Sequence, residues 1–271
     1  MIGTLAQIIT LTAYGNDYLR NGTIPLGFDH YAAFQFCNKI DFSEFGNVHP
    51  SSALGEKVVS DSPAGWFRHL KADGCKHLRL CYEGSKDQGL EDHKLAGLIG
   101  GGGNWFIEAV YDDYSNYWAN RWIATDKDAA DRKIWTVNYG MLGVRQPTSD
   151  LQIDNQTVKD ELRRALSEIA DFALKQNLQY WAEQFDRPLI FLDSDLPEEN
   201  FYHQNLIPFD NYSLIAKQIL FSACSAWVFG GMGSWNDLKF DDETDNNTYD
   251  ELSEQLHSKI IEAIIAGINT Y

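Results

Sequence analysis

Apolar and aromatic residues alternate with polar ones along much of the first half of the chain, a pattern typical of half-buried β-strands. The clearest example is the run NWFIEAVYDDYSNYWANRWIA at 104–124, and IWTVNY follows it at 134–139. Shorter alternating runs lie at 33–37 and 76–83. The long run predicts a hairpin with a five-residue loop at 112–116, and the next run completes an antiparallel meander.

The predicted hairpin places polar side chains among its aromatic rings. If Tyr111 faces Tyr117, then Glu108 lies opposite Asn120, and Trp122 shares their face. Flat rings with a carboxylate and an amide among them are typical of a site that binds a sugar, a peptide or a base. The alternative is a sheet core in which Glu108 simply forms a hydrogen bond with Asn120.

Helical spacing of apolar residues dominates the second half of the chain and also its N-terminal segment. The pattern predicts helices at 4–19, at 157–185 and at 214–229, where the run is apolar almost all round. A capping box that starts at Thr248 begins a final helix. The short apolar run at 189–192 follows an Arg-Pro pair and predicts one further strand.

Together these elements predict an α+β fold in which an antiparallel, aromatic-rich β-meander packs against a mainly helical second half. The sheet-rich region, with its N-terminal helix, is expected at 1–146 and the helical region at 147–271, because the β pattern stops at Gln146-Pro147. This order is compatible with two domains or with one joint domain. The helix at 214–229 favours a joint core, since a helix without a polar face is buried on all sides.

The 271 residues include 22 basic and 39 acidic side chains, which gives a formal net charge of −17. Residues 151–271 hold 8 of the basic and 21 of the acidic side chains, so the acidity belongs to the helical half. Such a charge repels phosphate backbones and anionic lipid surfaces, and nucleic acid is therefore not an expected partner. No apolar run reaches the ~18–20 residues that span a bilayer, so no membrane association is expected either.

The four cysteines, at positions 37, 75, 81 and 224, form neither a C-x-x-C pair nor a dense disulfide framework. Free thiols of this kind indicate a reducing compartment, and the N-terminal residues lack the pattern of a secretory signal. We therefore expect a cytoplasmic protein. The seven histidines show no zinc-binding spacing, so no cofactor is expected, and His93 is predicted in an exposed polar turn.

An Asp-x-Asp segment provides the pattern that suggests metal chemistry. The run LIFLDSD ends with Asp193 and Asp195, and Glu198 follows three residues later. This run resembles the Asp-x-Asp segment of nucleotide-sugar glycosyltransferases, in which two carboxylates at a strand end hold a divalent cation. The resemblance implies a metal-assisted transferase or hydrolase, whose cation neutralises a diphosphate leaving group. It covers about seven residues, and no alternating β/α units precede it.

The turn AWVFGGMGSWND follows the predicted buried helix and ends with Trp235, Asn236 and Asp237. An indole beside an amide and a carboxylate is a second candidate for a ligand or partner site. The alternative is structural, with Asn236 or Asp237 capping a short turn.

No stretch carries a complete catalytic signature, and the acidity of the second half is the strongest functional signal. We therefore predict a non-enzymatic binding protein whose partner is a basic protein or a small ligand. The alternative is the metal-assisted transferase or hydrolase that uses Asp193, Asp195 and Glu198. A divalent cation is expected only in that alternative.

Overall fold

The structure of the chain, a computed structural model, describes residues 3–45, 56–85, 92–96, 102–147 and 153–271. The strands are β1 Cys37–Phe45, β2 Glu56–Ser60, β3 His77–Glu83, β4 Asn104–Val110, β5 Ser115–Ala124 and β6 Trp135–Arg145. The α-helices are α1 Gly3–Asn21, α2 Pro63–Ala72, α3 Asp92–Leu95, α4 Asn155–Lys175, α5 Gln179–Asp193, α6 Leu214–Ser225 and α7 Glu243–Asn269.

The strands form a six-stranded sheet in the order β2-β1-β6-β5-β4-β3. Neighbouring strands are antiparallel except β1 and β6, which are parallel. The α+β class is confirmed, but the prediction of a purely antiparallel sheet is wrong because the sheet is mixed. The long connection from β1 to β6 leaves the relative direction of the two strands free, whereas a short hairpin turn would have required them to be antiparallel.

The hairpin between β4 and β5 is tighter than the pattern of alternation predicts. Its loop covers residues 111–114, where the Tyr111 amide donates to the Tyr114 carbonyl at 2.9 Å. The two tyrosine rings stack with their centroids 4.5 Å apart. This turn makes Glu108 the partner of Tyr117.

The predicted pairing of Glu108 with Asn120 is therefore wrong. The observed register differs from the predicted one by three residues, and an odd shift moves every side chain of the strand to the other face of the sheet. Asn120 and Trp122 consequently lie on the face that includes Trp118 and Tyr139, opposite to the face of Glu108.

The helix α1 lies beneath that inner face and is buried throughout residues 5–16. Its polar side chains find partners on both sides. The Gln7 carbonyl oxygen accepts a hydrogen bond from the Tyr139 hydroxyl at 3.0 Å, on the sheet side. The Thr10 hydroxyl donates to the Leu206 carbonyl at 3.1 Å, in the second half of the chain. Because the helix is enclosed, each of these bonds offsets the cost of burying a polar group.

Proline does not end α5, contrary to expectation. The helix continues through Pro188 to its end at Asp193, and the predicted strand at 189–192 is wrong. An interior proline removes one backbone hydrogen bond, but Pro188, Phe191 and Leu192 are all buried. Burial of this apolar face outweighs the local preference, since each large side chain contributes roughly 1.5–3 kcal/mol.

Three other helix boundaries differ from prediction. The helix α7 begins at Glu243, after its N-cap Asp242, and not at the predicted capping box of Thr248. The region 157–185 forms two helices, separated at Asn177, which adopts a left-handed conformation with φ 60°. The buried helix α6 ends at Ser225, four residues before the predicted end. In the following turn Gly233 has a φ of 84°, a value that glycine adopts without strain.

One cluster of buried apolar side chains includes residues of both halves of the chain. Its large, fully buried members include Phe42, Trp66, Trp118, Tyr139, Phe185, Phe221, Phe229 and Trp235. Within it α6 and α7 approach closely at Gly267. A Cβ atom added there would lie 2.9 Å from the Leu220 Cβ and 3.0 Å from the Ala216 carbonyl oxygen.

We expect Gly267→Ala to destabilise the chain by about 1–2 kcal/mol, because the added methyl group must separate α6 from α7. Urea unfolding followed by circular dichroism measures the change. Gly3→Ala is the matched control, since nothing lies within 4 Å of a Cβ at that position. Equal stability of the two variants would contradict the close packing of the two helices.

Candidate functional site

Glu108 lies at the centre of a buried polar cluster on the outer face of the sheet. Its side chain is fully buried, and Oε1 accepts a hydrogen bond from the Tyr117 hydroxyl at 3.0 Å. Oε2 lies 3.7 Å from the Cys81 sulfur and 4.0 Å from the Arg79 guanidinium. The strands β3, β4 and β5 thus each contribute one or two members of the cluster.

The thiol of Cys81 in this cluster is poorly suited to act as a nucleophile. Burial, with the nearby Glu108 carboxylate as a further cause, raises the pKa of the Cys81 thiol to about 12. A thiol with so high a pKa carries almost no thiolate at neutral pH, and the thiolate is the reactive form. Cys81 therefore serves as a weak hydrogen-bond donor to Glu108.

A cleft of about 820 Å³ surrounds the free edge of β3, and Arg79, Cys81 and Glu108 of the cluster form part of its wall. The ends of α1 and α7 form its other walls. The side-chain amide of Asn16 bonds both the N–H and the C=O of Leu78, at 2.6 and 2.9 Å. Asn269 does the same for Leu80, at 2.8 and 2.9 Å. These two amides occupy the edge groups that an added strand would use, so the cleft is closed to strand addition at these residues.

Asn120 and Trp122 lie on the inner face and belong to a different environment. The Asn120 side chain forms a hydrogen bond with Tyr139, whose pKa is raised well above its usual value by burial. The Trp122 ring is half-buried and meets the Trp135 ring edge-on at 5.9 Å. The structure therefore does not bring these two residues together with Glu108.

Trp235, Asn236 and Asp237 hold the turn between α6 and α7. The Trp235 indole is fully buried, and its N–H donates to the Ser253 hydroxyl at 2.8 Å. Asn236 donates to the carbonyl of His93 at 2.8 Å. The Asp237 carboxylate accepts a hydrogen bond from the backbone of the same turn. Trp235 thus fixes this turn against α7 and Asn236 fixes it against α3, whereas Asp237 stabilises the turn itself.

His93 is buried, so its prediction as part of an exposed turn is wrong. Its Nδ1 lies 2.8 Å from the Glu254 carboxylate of α7, and its ring lies 6.4 Å from that of His257. Aromatic rings at 227 and 229 surround His257. Burial and the neighbouring His93 lower the pKa of His257 to about 4. The contact between α3 and α7, which are distant in sequence, causes this burial.

The Asp-x-Asp residues do not converge on a common point. Asp193 ends α5 and forms a bidentate ion pair with Arg163, with contacts of 2.6 and 3.0 Å. Glu198 pairs with Lys217 at 3.0 Å, and Asp195 is exposed. Two of the three carboxylates predicted to bind a metal, those of Asp193 and Glu198, therefore form ion pairs with cationic side chains of the protein. The predicted strand that would have presented them is helical.

Within the part of the chain that the structure describes, the three metal-ligating side chains whose ligand atoms all lie within 4.8 Å of one another are Glu44, His69 and Asp73. The sequence interpretation did not identify this group. Its local signal is the i,i+4 spacing of His69 and Asp73, which places both side chains on one face of a helix. The third member comes from a strand, and only the tertiary structure supplies it.

The acidic patch is defined as the exposed carboxylates of the second half of α4, of the first nine residues of α7 and of the two residues that precede α7. Gln255 of α7 donates to Glu168 of α4 at 3.1 Å, and the ring of Phe240, which precedes α7, meets the Phe172 ring of α4 at 5.4 Å. The carboxylates of the patch are exposed, and they belong to Glu168, Asp171, Asp241, Asp242, Glu243 and Glu251. Three exposed cations, Arg164, Lys175 and Lys239, are neighbours of these carboxylates in the sequence.

We expect Glu108→Gln to lower the free energy of unfolding by about 3 kcal/mol, since it leaves the largely buried Arg79 charge beside a neutral amide. Tyr117→Phe, which removes one hydrogen bond to the same carboxylate, should cost about 1 kcal/mol. Urea unfolding at neutral pH measures both changes. A Glu108→Gln variant as stable as the unmodified chain would show that this ion pair is not structural.

His257 should make the stability of the chain dependent on pH between about 6.5 and 4. The folded chain keeps the ring neutral down to about pH 4, whereas the unfolded chain binds a proton at about pH 6.5. Stability is therefore lost as the pH falls through this window, by about 3 kcal/mol in total. We expect His257→Gln to remove this part of the pH dependence, measured by urea unfolding at a series of pH values. If the free energy of unfolding of the variant and that of the unmodified chain changed with pH in the same way, the role of His257 would be refuted.

Comparison with known proteins gives no relative for this chain: no family model, curated protein or solved structure matches it significantly. Among the helices that the structure describes, none is both long and apolar enough to cross a bilayer. We therefore infer function from the contacts and charges of the chain itself.

Proposed function

We propose that this chain is a non-enzymatic binding protein and that its acidic patch binds a basic surface of a partner protein. The observation that carries this proposal is the exposure of six carboxylates on α4, on α7 and in the two residues before α7, in the half of the chain where acidic residues outnumber basic ones 21 to 8. Carboxylates that are gathered on one surface create a potential that attracts and orients a cationic partner.

The distribution of the basic residues strengthens that potential. Arg163, Lys217 and Lys259 are each held by a carboxylate of the helical half at 3.0 Å or less. Their charges are thus compensated by carboxylates that do not belong to the acidic patch. The patch keeps an excess of negative charge, because its six carboxylates have three exposed cations as neighbours in the sequence, Arg164, Lys175 and Lys239.

The acidic patch is expected to increase the rate and the specificity of association more than the affinity. Exposed ion pairs contribute roughly 0.2–1 kcal/mol each, and salt screens them over a Debye length of about 8 Å at physiological ionic strength. Binding through the acidic patch should therefore be fast at low salt and should weaken steeply as salt is added. Affinity beyond this electrostatic contribution must come from apolar contacts with the partner.

The test neutralises four carboxylates of the patch together, in Glu168→Gln, Asp171→Asn, Asp241→Asn and Glu251→Gln. Asp242 is left unchanged because its side chain caps α7 through the Thr244 and Asp245 amides. Partners captured from a lysate of the source cells at low salt are purified, and their affinity is measured by calorimetry. We expect the variant to bind at least tenfold more weakly, which equals about 1.4 kcal/mol.

The matched control removes the same number of charges elsewhere, from the exposed residues Asp29, Asp113, Asp126 and Asp128, each changed to Asn. It alters the net charge equally, so it should retain the partner with nearly unchanged affinity. Equal loss of binding in the two variants would point to net charge alone. Retention of the partner by the patch variant, or capture of acidic partners only, would refute the proposal.

A further inference from the structure

Glu44, His69 and Asp73 meet at the end of β1 and the end of α2. The Nε2 atom of His69 lies 3.0 Å from Oε1 of Glu44 and 3.2 Å from Oδ2 of Asp73. The three side chains are 26%, 27% and 48% exposed for His69, Glu44 and Asp73, so the group is open to solvent on one side. It lies outside the acidic patch and outside the Glu108 cluster.

The aromatic core fixes this geometry. The Phe42 ring of β1 and the Trp66 ring of α2 are fully buried and stack with centroids 4.5 Å apart and planes 10° apart. Glu44 follows Phe42 by two residues on the strand, and His69 follows Trp66 by three residues on the helix. Both spacings keep the second side chain on the face of the first. The stacked pair thus determines where the carboxylate and the imidazole meet.

The end of α2 adds the second carboxylate. Asp73 is the C-terminal capping residue of the helix, and its backbone N–H donates to the His69 carbonyl at 3.0 Å. This bond holds Asp73 one helical turn beyond His69. The last turn of a helix also carries partial negative charge from its carbonyl groups. A cation at this point therefore meets two carboxylates, an imidazole nitrogen and a favourable helix terminus.

One proton on Nε2 does not account for both carboxylates. A single N–H is directed at one acceptor, and the hydrogen bond from this nitrogen is to Glu44. The Asp73 carboxylate faces the same nitrogen at a similar distance. A metal ion in place of the proton would contact all three groups at once. Ligand atoms around a tetrahedral ion with bonds of ~2.0–2.1 Å lie ~3.3 Å apart, which is close to the two distances observed.

We propose that Glu44, His69 and Asp73 bind a divalent transition-metal ion, Zn²⁺, with water completing the coordination. One imidazole and two carboxylates form a nitrogen and oxygen ligand set that zinc accepts, and three protein ligands leave one position open. Calcium and magnesium prefer sites built entirely from oxygen atoms, so they should bind here weakly.

Calorimetric titration of the full chain with ZnCl₂ after treatment with a chelator tests this site. We expect one ion to bind per chain and His69→Gln to weaken binding at least tenfold. Glu44→Gln and Asp73→Asn should weaken zinc binding as well. Because these two variants preserve the shape of the side chain, they test the site even if His69→Gln fails to fold. His30→Gln, which changes an exposed histidine, is the matched control and should bind as the unmodified chain does.

The measured heats can also overturn the site. Absence of zinc binding, or equal binding by the unmodified chain and by all three site variants, would exclude the site. Binding of Ca²⁺ or Mg²⁺ in preference to Zn²⁺ would refute the assignment of a transition metal. If His30→Gln weakened zinc binding as much as the site variants do, the ion would bind elsewhere on the protein surface.

Discussion

The fold depends on the burial of α1 over residues 5–16. A helix that is buried throughout residues 5–16 exposes no face to water, so its polar side chains must find partners within the protein. Gln7 accepts a hydrogen bond from Tyr139 of the sheet, and Thr10 donates one to Leu206 in the loop before α6. Asn16 forms its hydrogen bonds at the free edge of β3. The same bonds that satisfy the helix therefore fix the sheet and the helical half relative to each other.

At the edge of the sheet and at the ends of the helices, too, single contacts have two structural roles. The side-chain amides of Asn16 and Asn269 bond the edge groups of β3 in the way a seventh strand would, and they form part of the wall of the cleft. The Phe42 and Trp66 stack joins β1 to α2 and thereby brings Glu44 to His69. In both places a contact that stabilises the core also determines the position of polar groups at the surface.

Charge is divided between the interior and the surface of the molecule. Glu108 is fully buried and has Tyr117 and Arg79 as neighbours, so its charge is compensated within the sheet. In the helical half most of the acidic side chains lie at the surface, and several cations are held in local pairs. Much of the net charge of −17 therefore lies on exposed carboxylates of the helical half.

The sequence by itself determined the α+β class, the existence of most strands and helices, and the excess of acidic residues, because these follow from local periodicity and composition. Only the tertiary structure decided the parallel pairing of β1 with β6, the hairpin register at Glu108 and the helix through Pro188. Strand direction, register and burial depend on contacts between distant residues, which no local pattern encodes. For the same reason the meeting of Glu44 with His69 was invisible in the sequence, although the i,i+4 spacing of His69 and Asp73 was present in it.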